Sequence, residues 1–429
     1  MKLTVLGGGG VRSAFLAKSL AYNAHRIGLT EVVFLDNSAD NLAIFGEIAR
    51  YVFNTIRPDI QFSTTTDPVA ALQDANYIIT TLRVGGDESR IRDERIALEH
   101  NTLGQETTGV GGFAKALRTI PVMLDIARRV EKLAPDAWII NFTNPAGIVT
   151  EAVSRFTKAK IIGLCNVPIS MHHMIANMLQ APYADVQLRF AGLNHMVWVH
   201  QVTQQGRDVT AKVIDMLCDG AALTMNNIKE EPWQPDFLRA LGAIPCPYHR
   251  YFYQTREMLA EEMAAAGERG TRAEQVMQVE KELFELYADP QLNTKPEQLS
   301  FRGGSFYSEV ALELIRAIHN NLGTQLVVNT ANRGAIHGLP DDAVIEINCI
   351  VDAQGAHPLT FGPLPEPMQA LTQQVKAYER LTIEAAVHGD RRSGLLALIA
   401  NPLVGNANLA QPLLEEVLTI NAPYLPQFR

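Results

Sequence analysis

The sequence predicts an α/β fold in two parts, an N-terminal parallel sheet followed by a larger mixed α+β region. Strand-like and helix-like segments alternate through the first third of the chain, as a parallel sheet requires. Beyond about residue 165 the pattern changes to alternating strands of antiparallel type and long helical stretches. A chain of 429 residues is long for one core and short for three. We therefore expect two closely packed domains, residues 1–164 and 165–429, with a cleft at their junction.

Hydrophobic runs and helical spacing place the individual elements. Short apolar runs predict parallel strands at 2–6, 31–35, 77–81, 138–141 and 161–164. Helical spacing predicts helices over 11–22 and 114–133 in the same region. The second part is predicted to contain strands at 186–191, 196–203, 325–329 and 343–351, helices at 271–288 and 308–320, and a helical tail over 368–418.

Composition and charge limit the possible partners. The formal net charge of -9 argues against nucleic acid or an anionic membrane as the main partner, because both require a basic face. A small anionic substrate remains compatible, since a few arginines in a cleft act locally. The four cysteines are widely separated and predict no disulfide framework, and the N-terminus does not resemble a signal peptide. No apolar run is long enough to span a bilayer, so we expect a cytoplasmic protein.

Four consecutive glycines follow the first predicted strand and open the first predicted helix. Glycines let the backbone approach a pyrophosphate, and a helix N-terminus favours its negative charge. Asp36 ends the second strand, where a carboxylate would bind the adenosine ribose and favour NAD over NADP. Glycine clusters also form ordinary tight turns, and Asp36 alone is compatible with a solvated turn. The pattern predicts a Rossmann-type NAD-binding domain, as in lactate and malate dehydrogenases, with its site at Asp36 and Gly7, Gly8, Gly9, Gly10, Val11 and Arg12.

Cys165 and His195 are the candidate metal ligands. Cys165 follows the last predicted parallel strand, at the edge where open α/β sheets bind ligands. A lone buried cysteine is usually part of a core and a lone histidine is usually structural. Together, however, a thiolate and an imidazole can hold a divalent metal and leave positions open for substrate. These donors suit Zn, Mn, Fe, Co or Ni, so the residues alone leave the metal open.

These features resemble glycoside hydrolase family 4, the NAD- and Mn-dependent glycosidases, and within it the 6-phospho-β-glucosidases. The resemblance runs through most of the chain. Besides the glycine turn, the segments that carry it are Arg83-Val84-Gly85-Gly86, Gly104-Gln105-Glu106-Thr107-Thr108-Gly109, Asn141-Phe142-Thr143-Asn144-Pro145, Cys165-Asn166-Val167-Pro168, Gly192-Leu193-Asn194-His195 and Thr271-Arg272-Ala273-Glu274.

The resemblance implies a redox route to glycoside cleavage. NAD would oxidise the sugar 3-hydroxyl, which acidifies the proton on C2. A base would remove that proton while the metal stabilises the enediolate, and the aglycone would leave from C1 by elimination. Water would then add and the hydride would return, so no net NADH should accumulate. This route is an exception to glycosidase catalysis by two carboxylates.

The resemblance also implies roles for individual residues. Cys165 and His195 match the family's protein ligands for Mn, and Tyr248 matches the base at C2, although a packed aromatic is the alternative for Tyr248. Glu106 would orient the cofactor or a water, or act only as a structural carboxylate. The residues that resemble sugar-phosphate contacts are Arg90, Asn144 and Arg272, for which surface ion pairs or a turn are the alternatives.

Asn166 departs from one branch of the family. Members that act on α-linked phosphosugars resemble Cys-Asp at this position, where the carboxylate would protonate the leaving oxygen. An amide cannot serve as a general acid at neutral pH, so Asn166 points to the β-linked branch as a substrate-binding residue. The group that protonates the leaving oxygen is then unassigned. Arg12 is a second departure, in a turn where relatives tend to have serine or threonine, and it could contact cofactor phosphates or substrate.

The resulting expectation is a cytoplasmic 6-phospho-β-glucosidase that acts on phosphorylated disaccharides or other β-glucosides. The resemblance implies a homodimer or homotetramer. Three alternatives remain. They are another family 4 glycosidase with an α-linked or unphosphorylated substrate, an NAD-dependent 2-hydroxy acid dehydrogenase, and a catalytically silent sugar-phosphate sensor.

Overall fold

The computed structural model describes residues 1–287, 296–301 and 306–428, and its N-terminal part is a parallel sheet. The order of its strands is β3-β2-β1-β4-β5-β6. The order reverses at β1, which has β2 on one side and β4 on the other, so a ligand crevice is expected beyond the carboxyl end of β1. The strands are β1 (Lys2–Leu6), β2 (Glu31–Leu35), β3 (Gln61–Thr65), β4 (Tyr77–Thr80), β5 (Trp138–Asn141) and β6 (Lys160–Gly163).

The remaining strands extend this sheet as an antiparallel half. The order continues from β6 through β11, β12, β7 and β8 to β10, while β13 pairs with β12 and β9 with β8. The junction is the pair of Gly163 and Asn329, where a Cβ on Gly163 would lie 2.8 Å from the Asn329 Cβ. Residues on both sides of position 165 thus share one sheet. These strands are β7 (Val186–Leu193), β8 (Met196–Gln204), β9 (Arg207–Asp208), β10 (Ile244–Pro245), β11 (Thr324–Ala331), β12 (Val344–Asp352) and β13 (Gly355–Pro358).

Helices pack against the sheet and around its carboxyl edge. Apolar residues of the central strands are buried on the sheet, as parallel strands covered by helices require. No helix in the described ranges is long and apolar enough to cross a membrane. The helices are α1 (Ser13–Asn23), α2 (Ala39–Asn41), α3 (Glu47–Ile56), α4 (Pro68–Leu72), α5 (Gly86–Glu99), α6 (Gly109–Leu133), α7 (Ala146–Phe156), α8 (Val167–Met178), α9 (Thr210–Cys218), α10 (Pro235–Leu241), α11 (Arg250–Tyr253), α12 (Thr255–Glu268), α13 (Arg272–Leu286), α14 (Gln298–Phe301), α15 (Tyr307–His319), α16 (Glu366–His388), α17 (Arg391–Ala400) and α18 (Ala407–Ile420).

The predicted α/β class is confirmed, and the main error concerns the start of α6. The sequence predicts that helix from residue 114, but it begins at Gly109. The glycines at the start of α6 suggest a loop in the sequence. In the structure they are helical, and their lack of a side chain lets the preceding loop pack against the first turn of α6. A Cβ on Gly111 would lie 2.3 Å from the Gln105 carbonyl oxygen, and one on Gly112 would lie 2.5 Å from that of Thr107.

The other predicted elements agree with the structure to within a few residues, with one exception. The tail predicted as helical over 368–418 is divided into α16, α17 and α18. Gly389, at φ 67°, ends α16, and Asp390 caps α17 by accepting hydrogen bonds from the backbone N–H groups of Arg392 and Ser393. The last residue of the helix predicted over 271–288 lies outside the described residues.

Candidate active site

A cleft of about 1600 Å³ lies along the carboxyl edge of the sheet and brings most of the predicted site residues together. Two of them lie behind its surface. Gly8 packs toward Phe34, and Cys165 is buried with 5% of its surface exposed. The predicted residues that line the cleft are Gly7, Gly9, Gly10, Val11, Arg12, Asp36, Arg90, Glu106, Asn144, Asn166, His195, Tyr248 and Arg272.

The glycine turn forms one end of this cleft, which we call the nucleotide end. The N–H groups of Gly7 and Gly8 both donate to the Leu35 carbonyl oxygen at 2.9 Å, so the turn is held against the end of β2. Gly7 has a φ of 91°, and a Cβ there would lie 2.7 Å from the Thr81 hydroxyl oxygen. Only glycine can adopt this φ and fit beside Thr81 without strain. The turn leads directly into the N-terminus of α1, where backbone N–H groups favour an anion.

Asp36 lies immediately after β2 and is fixed by the same turn. Its Oδ2 accepts the Gly9 N–H at 2.9 Å, and its Oδ1 accepts the Ser38 N–H at 3.0 Å. Both carboxylate oxygens therefore have a defined direction at the cleft wall. Arg12 reaches from the turn over the ring of Tyr307, with its guanidinium carbon 5.2 Å from the ring centroid. The arrangement has the backbone shape of a dinucleotide site.

His195 also lines the cleft, and five other strands of the sheet lie between β1 and β7, the strand that leads to His195. We call this part of the cleft the metal end. His195 lies in the two-residue turn between β7 and β8, at a φ of 60° that non-glycine residues seldom adopt. Its Nδ1 is 2.9 Å from Thr107 Oγ1, and its ring stacks on that of Tyr248 at 3.9 Å between centroids. Burial lowers the pKa of His195 to about 3. The imidazole is therefore neutral at physiological pH, which is the form that binds metals.

Cys165 lies beside the same turn. Its sulfur accepts the Val167 N–H at 3.5 Å and interacts with the side chain of Asn194, the residue before His195. Burial raises the pKa of the Cys165 thiol well above its usual value, and the negative charge of Glu346 raises it further. In the chain alone Cys165 is a thiol, and a bound divalent cation would favour the thiolate.

Glu346 is a site residue that the sequence analysis missed. It is fully buried in β12, and its Oε1 accepts hydrogen bonds from Asn329 at 2.9 Å and Asn194 at 3.2 Å. Burial raises the pKa of Glu346 to about 7, and both asparagines oppose that shift. An acidic residue in the middle of an otherwise apolar strand was the available signal, because burying a charged group without a partner is costly.

Glu106 is the centre of a largely buried ion cluster in the wall of the same cleft. Its Oε1 lies 3.0 Å from Arg83 Nη1, and its Oε2 lies 2.9 Å from Arg90 Nη1. Lys115 Nζ also forms an ion pair with Oε1. Burial opposes ionisation of Glu106, but the three cations together hold its pKa well below the usual range. Burial lowers the pKa of Lys115 to about 8 against the attraction of Glu106. Arg83 lies in the Arg83-Val84-Gly85-Gly86 segment that carries the resemblance, but it was assigned no role from the sequence, and nothing in the local sequence distinguishes Lys115.

Arg90 is buried and forms ion pairs with both Glu94 and Glu106, so it does not belong to a surface ion pair. Its Nε donates to Glu94 Oε1 at 2.8 Å, while Glu94 Oε2 accepts the Ala273 N–H at 2.7 Å. Glu94 thereby ties α5 to the first turn of α13, where Arg272 lies. Arg90 and Arg272 consequently approach the same part of the cleft.

Two asparagines and Tyr248 add polar groups to the cleft wall. Asn144 Oδ1 accepts the Ala146 N–H at 3.3 Å, which holds its side chain in a turn. Asn166 precedes α8 and is 5% exposed, and its Nδ2 has no hydrogen-bond partner within the described residues. Tyr248 Oη accepts a hydrogen bond from Asn227 Nδ2 at 3.2 Å. Burial raises the pKa of Tyr248 well above its usual value, with Cys165 as the next contributor.

Comparison with known families gives the assignment. The model of the family 4 glycosyl hydrolases matches residues 2–181, and that of the family 4 glycosyl hydrolase C-terminal domain matches residues 190–404. The chain belongs to glycosyl hydrolase family 4. A protein of Bacillus subtilis (strain 168) named "Probable 6-phospho-beta-glucosidase" is 44% identical to this family 4 chain, covering 100% of it and 98% of the relative. The 6-phospho-β-glucosidase of Escherichia coli (strain K12) is 37% identical and covers 100% of this chain and 97% of that relative.

Solved structures agree with the family 4 assignment. The 6-phospho-β-glucosidase of Thermotoga maritima with manganese, NAD+ and glucose 6-phosphate aligns with a TM-score of 0.88 and 35% identity, over 99% of each chain. Malate dehydrogenase of Plasmodium falciparum with NADH aligns with a TM-score of 0.53 at 13% identity, over 90% of this chain and 98% of that one. At that identity the second likeness concerns the fold alone, and it confirms the predicted Rossmann-type fold.

The donor atoms of this family 4 chain fit a divalent metal. Cys165 offers a sulfur, and the Thr107 contact at Nδ1 leaves Nε2 as the nitrogen that His195 presents. No group of three or more histidine, cysteine, aspartate or glutamate side chains suited to a metal occurs in residues 1–287, 296–301 and 306–428. The protein would thus supply two donors and leave the other positions to substrate or water, as in a catalytic site.

Proposed function

We propose that the chain is a cytoplasmic, homo-oligomeric 6-phospho-β-glucosidase that uses NAD and a divalent metal, with Mn²⁺ as the expected ion. The observation that carries the proposal is a neutral His195 stacked on Tyr248 in the cleft that also holds the glycine turn, with Cys165 buried behind it beside Asn194. The names of the two relatives and the ligands of the Thermotoga maritima structure support the β-phosphoglucoside substrate and both cofactors.

In this proposal the nucleotide end would bind NAD through the glycine turn, with the ribose at Asp36. Cys165 and His195 would hold the metal. When bound, these groups would supply reversible hydride transfer at sugar C3 and stabilise negative charge on the sugar oxygens. Glu106 would orient cofactor or water from within its ion cluster, since its position is fixed by Arg83, Arg90 and Lys115.

Tyr248 is the base that we propose for the C2 proton. Its phenol is protonated in the chain alone, because burial raises its pKa. A cation at Cys165 would act against that shift, and the hydrogen bond from Asn227 Nδ2 favours the phenolate. Asn166 would donate its unpartnered Nδ2 hydrogens to a substrate oxygen, while Arg90, Arg272 and Asn144 would contact the sugar phosphate.

Localisation and assembly are part of the same proposal. All four cysteines are free, which supports a reducing compartment. A dimer or tetramer is proposed on the resemblance to the family, and light scattering of the purified protein would test it. A monomer under assay conditions would contradict it without affecting the catalytic assignment.

Hydrolysis of p-nitrophenyl β-glucoside 6-phosphate tests the function. The protein is chelated and dialysed, and NAD and Mn²⁺ are then added singly and together. We expect cleavage only with both, with no net NADH, and none with the α-linked or unphosphorylated analogue. Cys165→Ser should abolish turnover while NAD binding persists. Cleavage without added metal would contradict the metal assignment, and net NADH with a 2-hydroxy acid would favour a dehydrogenase.

A further inference from the structure

We infer that Gln105 and Thr107 are positioning residues that fix the tautomer of His195, with hydrogen on Nδ1 and a free electron pair on Nε2. The inference rests on the proposed function only in giving His195 a metal to bind. Its structural basis is a chain of hydrogen bonds from Gln105 through Thr107 to His195, which we call the relay. All three side chains are buried, with 9%, 9% and 6% of their surfaces exposed.

The relay begins with the orientation of the Gln105 amide. Its Oε1 lies 2.6 Å from the backbone nitrogen of Thr107 and 2.9 Å from that of Thr108. Backbone N–H groups can only donate, so the atom that faces them is the amide oxygen and not the NH₂ group. The two contacts therefore remove the usual ambiguity between the oxygen and nitrogen of a glutamine side chain.

The next step is the single hydrogen of the Thr107 hydroxyl. Thr107 Oγ1 is 2.9 Å from Gln105 Oε1, and because that oxygen only accepts, the hydroxyl must donate to it. Thr107 Oγ1 is then an acceptor toward His195 Nδ1, also at 2.9 Å. Nδ1 must carry a hydrogen, and in the neutral ring Nε2 carries the electron pair. The opposite tautomer would leave two acceptor oxygens facing each other inside the protein, which is costly.

Packing around the relay holds these contacts in place. The loop that carries Gln105 and Thr107 lies on Gly111 and Gly112 of α6, where any Cβ would collide with its carbonyl oxygens. The His195 ring is stacked on Tyr248 with an interplanar angle of 2°, so its plane is fixed as well as its proton. A metal at Nε2 would meet a ring that needs no reorientation or proton transfer. Hydrogen-bond partners of ligating histidines act in this way in metal sites generally.

A direct test reads the tautomer in the protein without added metal. Long-range ¹H–¹⁵N correlation spectra of protein labelled at histidine nitrogens distinguish Nδ1–H from Nε2–H, and the signals absent from His195→Gln identify His195. We expect the Nδ1–H pattern. An Nε2–H pattern in the unsubstituted protein would overturn the inference, whatever the glycosidase assay shows. This measurement does not depend on activity, and the tautomer is read in the unsubstituted protein, with His195→Gln used only to assign the signals.

Matched variants test the consequence for metal binding. Thr107→Val removes the hydroxyl at nearly constant volume, and Thr107→Ser restores it. Thr108→Val is the control, because the Thr108 hydroxyl donates to the same Gln105 oxygen at 3.1 Å without contacting His195. Electron paramagnetic resonance measures the concentration of free Mn²⁺ and so gives the affinity of each variant. We expect Thr107→Val to bind Mn²⁺ about 10- to 100-fold more weakly than the unsubstituted protein. Thr107→Ser and Thr108→Val should bind as the unsubstituted protein does.

The outcomes separate the relay from the proposed function. Weaker Mn²⁺ binding by Thr107→Val alone, with unchanged thermal stability, supports the relay even if the substrate assignment fails. Equal losses in Thr107→Val and Thr108→Val, or no rescue by Thr107→Ser, would indicate a general effect on the loop and would overturn the relay. Absence of Mn²⁺ binding by the unsubstituted protein would contradict the proposed metal but leave the tautomer result intact.

Discussion

The two ends of the cleft are built in different ways. At the nucleotide end, backbone atoms of one short turn form the surface, and the Gly9 N–H group orients Asp36. At the metal end, side chains from separate segments meet around His195, which contacts Thr107 of the loop before α6 and Tyr248 of the turn after β10. A backbone site depends on local conformation, whereas a side-chain site depends on the whole fold. Substitutions at the two ends should therefore affect different properties of the protein.

The largest expected effect is on catalysis, at the metal end. Tyr248→Phe keeps the ring stacked on His195 and removes only the hydroxyl. Loss of a general base should lower kcat by about 10²- to 10⁴-fold. NAD and Mn²⁺ affinities should stay near those of the unsubstituted protein, which would make the loss one of chemistry. Steady-state kinetics and equilibrium binding measure the two quantities separately.

Tyr251→Phe is the control for that experiment. Tyr251 also lines the cleft and is buried, with its ring centroid 6.1 Å from that of Tyr248. We expect Tyr251→Phe to retain most of kcat, because its hydroxyl has no role in the proposed chemistry. A large loss in Tyr251→Phe with little change in Tyr248→Phe would show that the base is assigned to the wrong tyrosine.

What the sequence could predict follows the same division. The glycine turn and Asp36 were recognisable because a nucleotide end is encoded in a short local pattern. Cys165 and His195 were recognisable from their donor chemistry as a possible metal pair, whereas their match to Mn ligands and the role of Tyr248 came only from the resemblance to a family. Gln105 lies in one of the segments that carry the resemblance, but it was assigned no role from the sequence, since its function depends on a contact with Thr107 and, through it, with His195.

Glu346 and Lys115 illustrate why the remaining residues escaped prediction. Each acquires its properties from burial beside groups that the fold brings together, across 152 residues for Glu346 and Asn194 and across nine for Lys115 and Glu106. Glu346 lies near Cys165 only because β12 joins the sheet beside β7, and Lys115 meets Glu106 across the first turn of α6. The spacing of residues along the sequence does not predict such contacts. The fold class, in contrast, follows from strand and helix periodicity alone, which is why it was predicted correctly.

The second prediction concerns the dependence of the protein's stability on pH. Glu262 in α12 lines the cleft, and its Oε2 accepts the Gly104 N–H at 2.8 Å. Burial raises the pKa of Glu262 to about 8 from a usual value of 4.5. Between about pH 4.5 and about pH 8 the carboxyl group of Glu262 is therefore protonated in the folded chain and ionised in the unfolded chain. Its contribution to stability is full below a pH of about 4.5 and is lost as the pH rises to about 8.

Glu262→Gln removes that titration and keeps an oxygen for Gly104. The stability of the unsubstituted protein relative to Glu262→Gln should fall between about pH 5 and about pH 9, by a few kcal/mol at about 1.4 kcal/mol per pKa unit. Thermal or denaturant unfolding of both proteins at each pH measures the difference. A constant difference across this range would show that Glu262 is ionised in the folded protein.

The smallest effect sharpens the contrast at the nucleotide end, where two neighbouring glycines serve as a matched pair. A Cβ on Gly9 would lie 2.7 Å from the Asn41 Cβ and 2.9 Å from Asp36 Oδ2. A Cβ on Gly10 would meet nothing closer than the Gly7 carbonyl oxygen at 3.4 Å. Gly9→Ala should therefore displace Asp36, lower the free energy of unfolding by about 1–3 kcal/mol and weaken NAD binding.

Gly10→Ala should leave stability within about 0.5 kcal/mol of the unsubstituted protein, because its methyl group has room in the chain alone. Any loss of NAD affinity in Gly10→Ala would then come from contact with the bound cofactor and not from a damaged turn. Mn²⁺ affinity should be unchanged in both variants, since neither position contacts the side chains around His195. If Gly9→Ala weakened Mn²⁺ binding as strongly as NAD binding, the two ends would be coupled through the fold, and the division between a local and a distributed site would not hold.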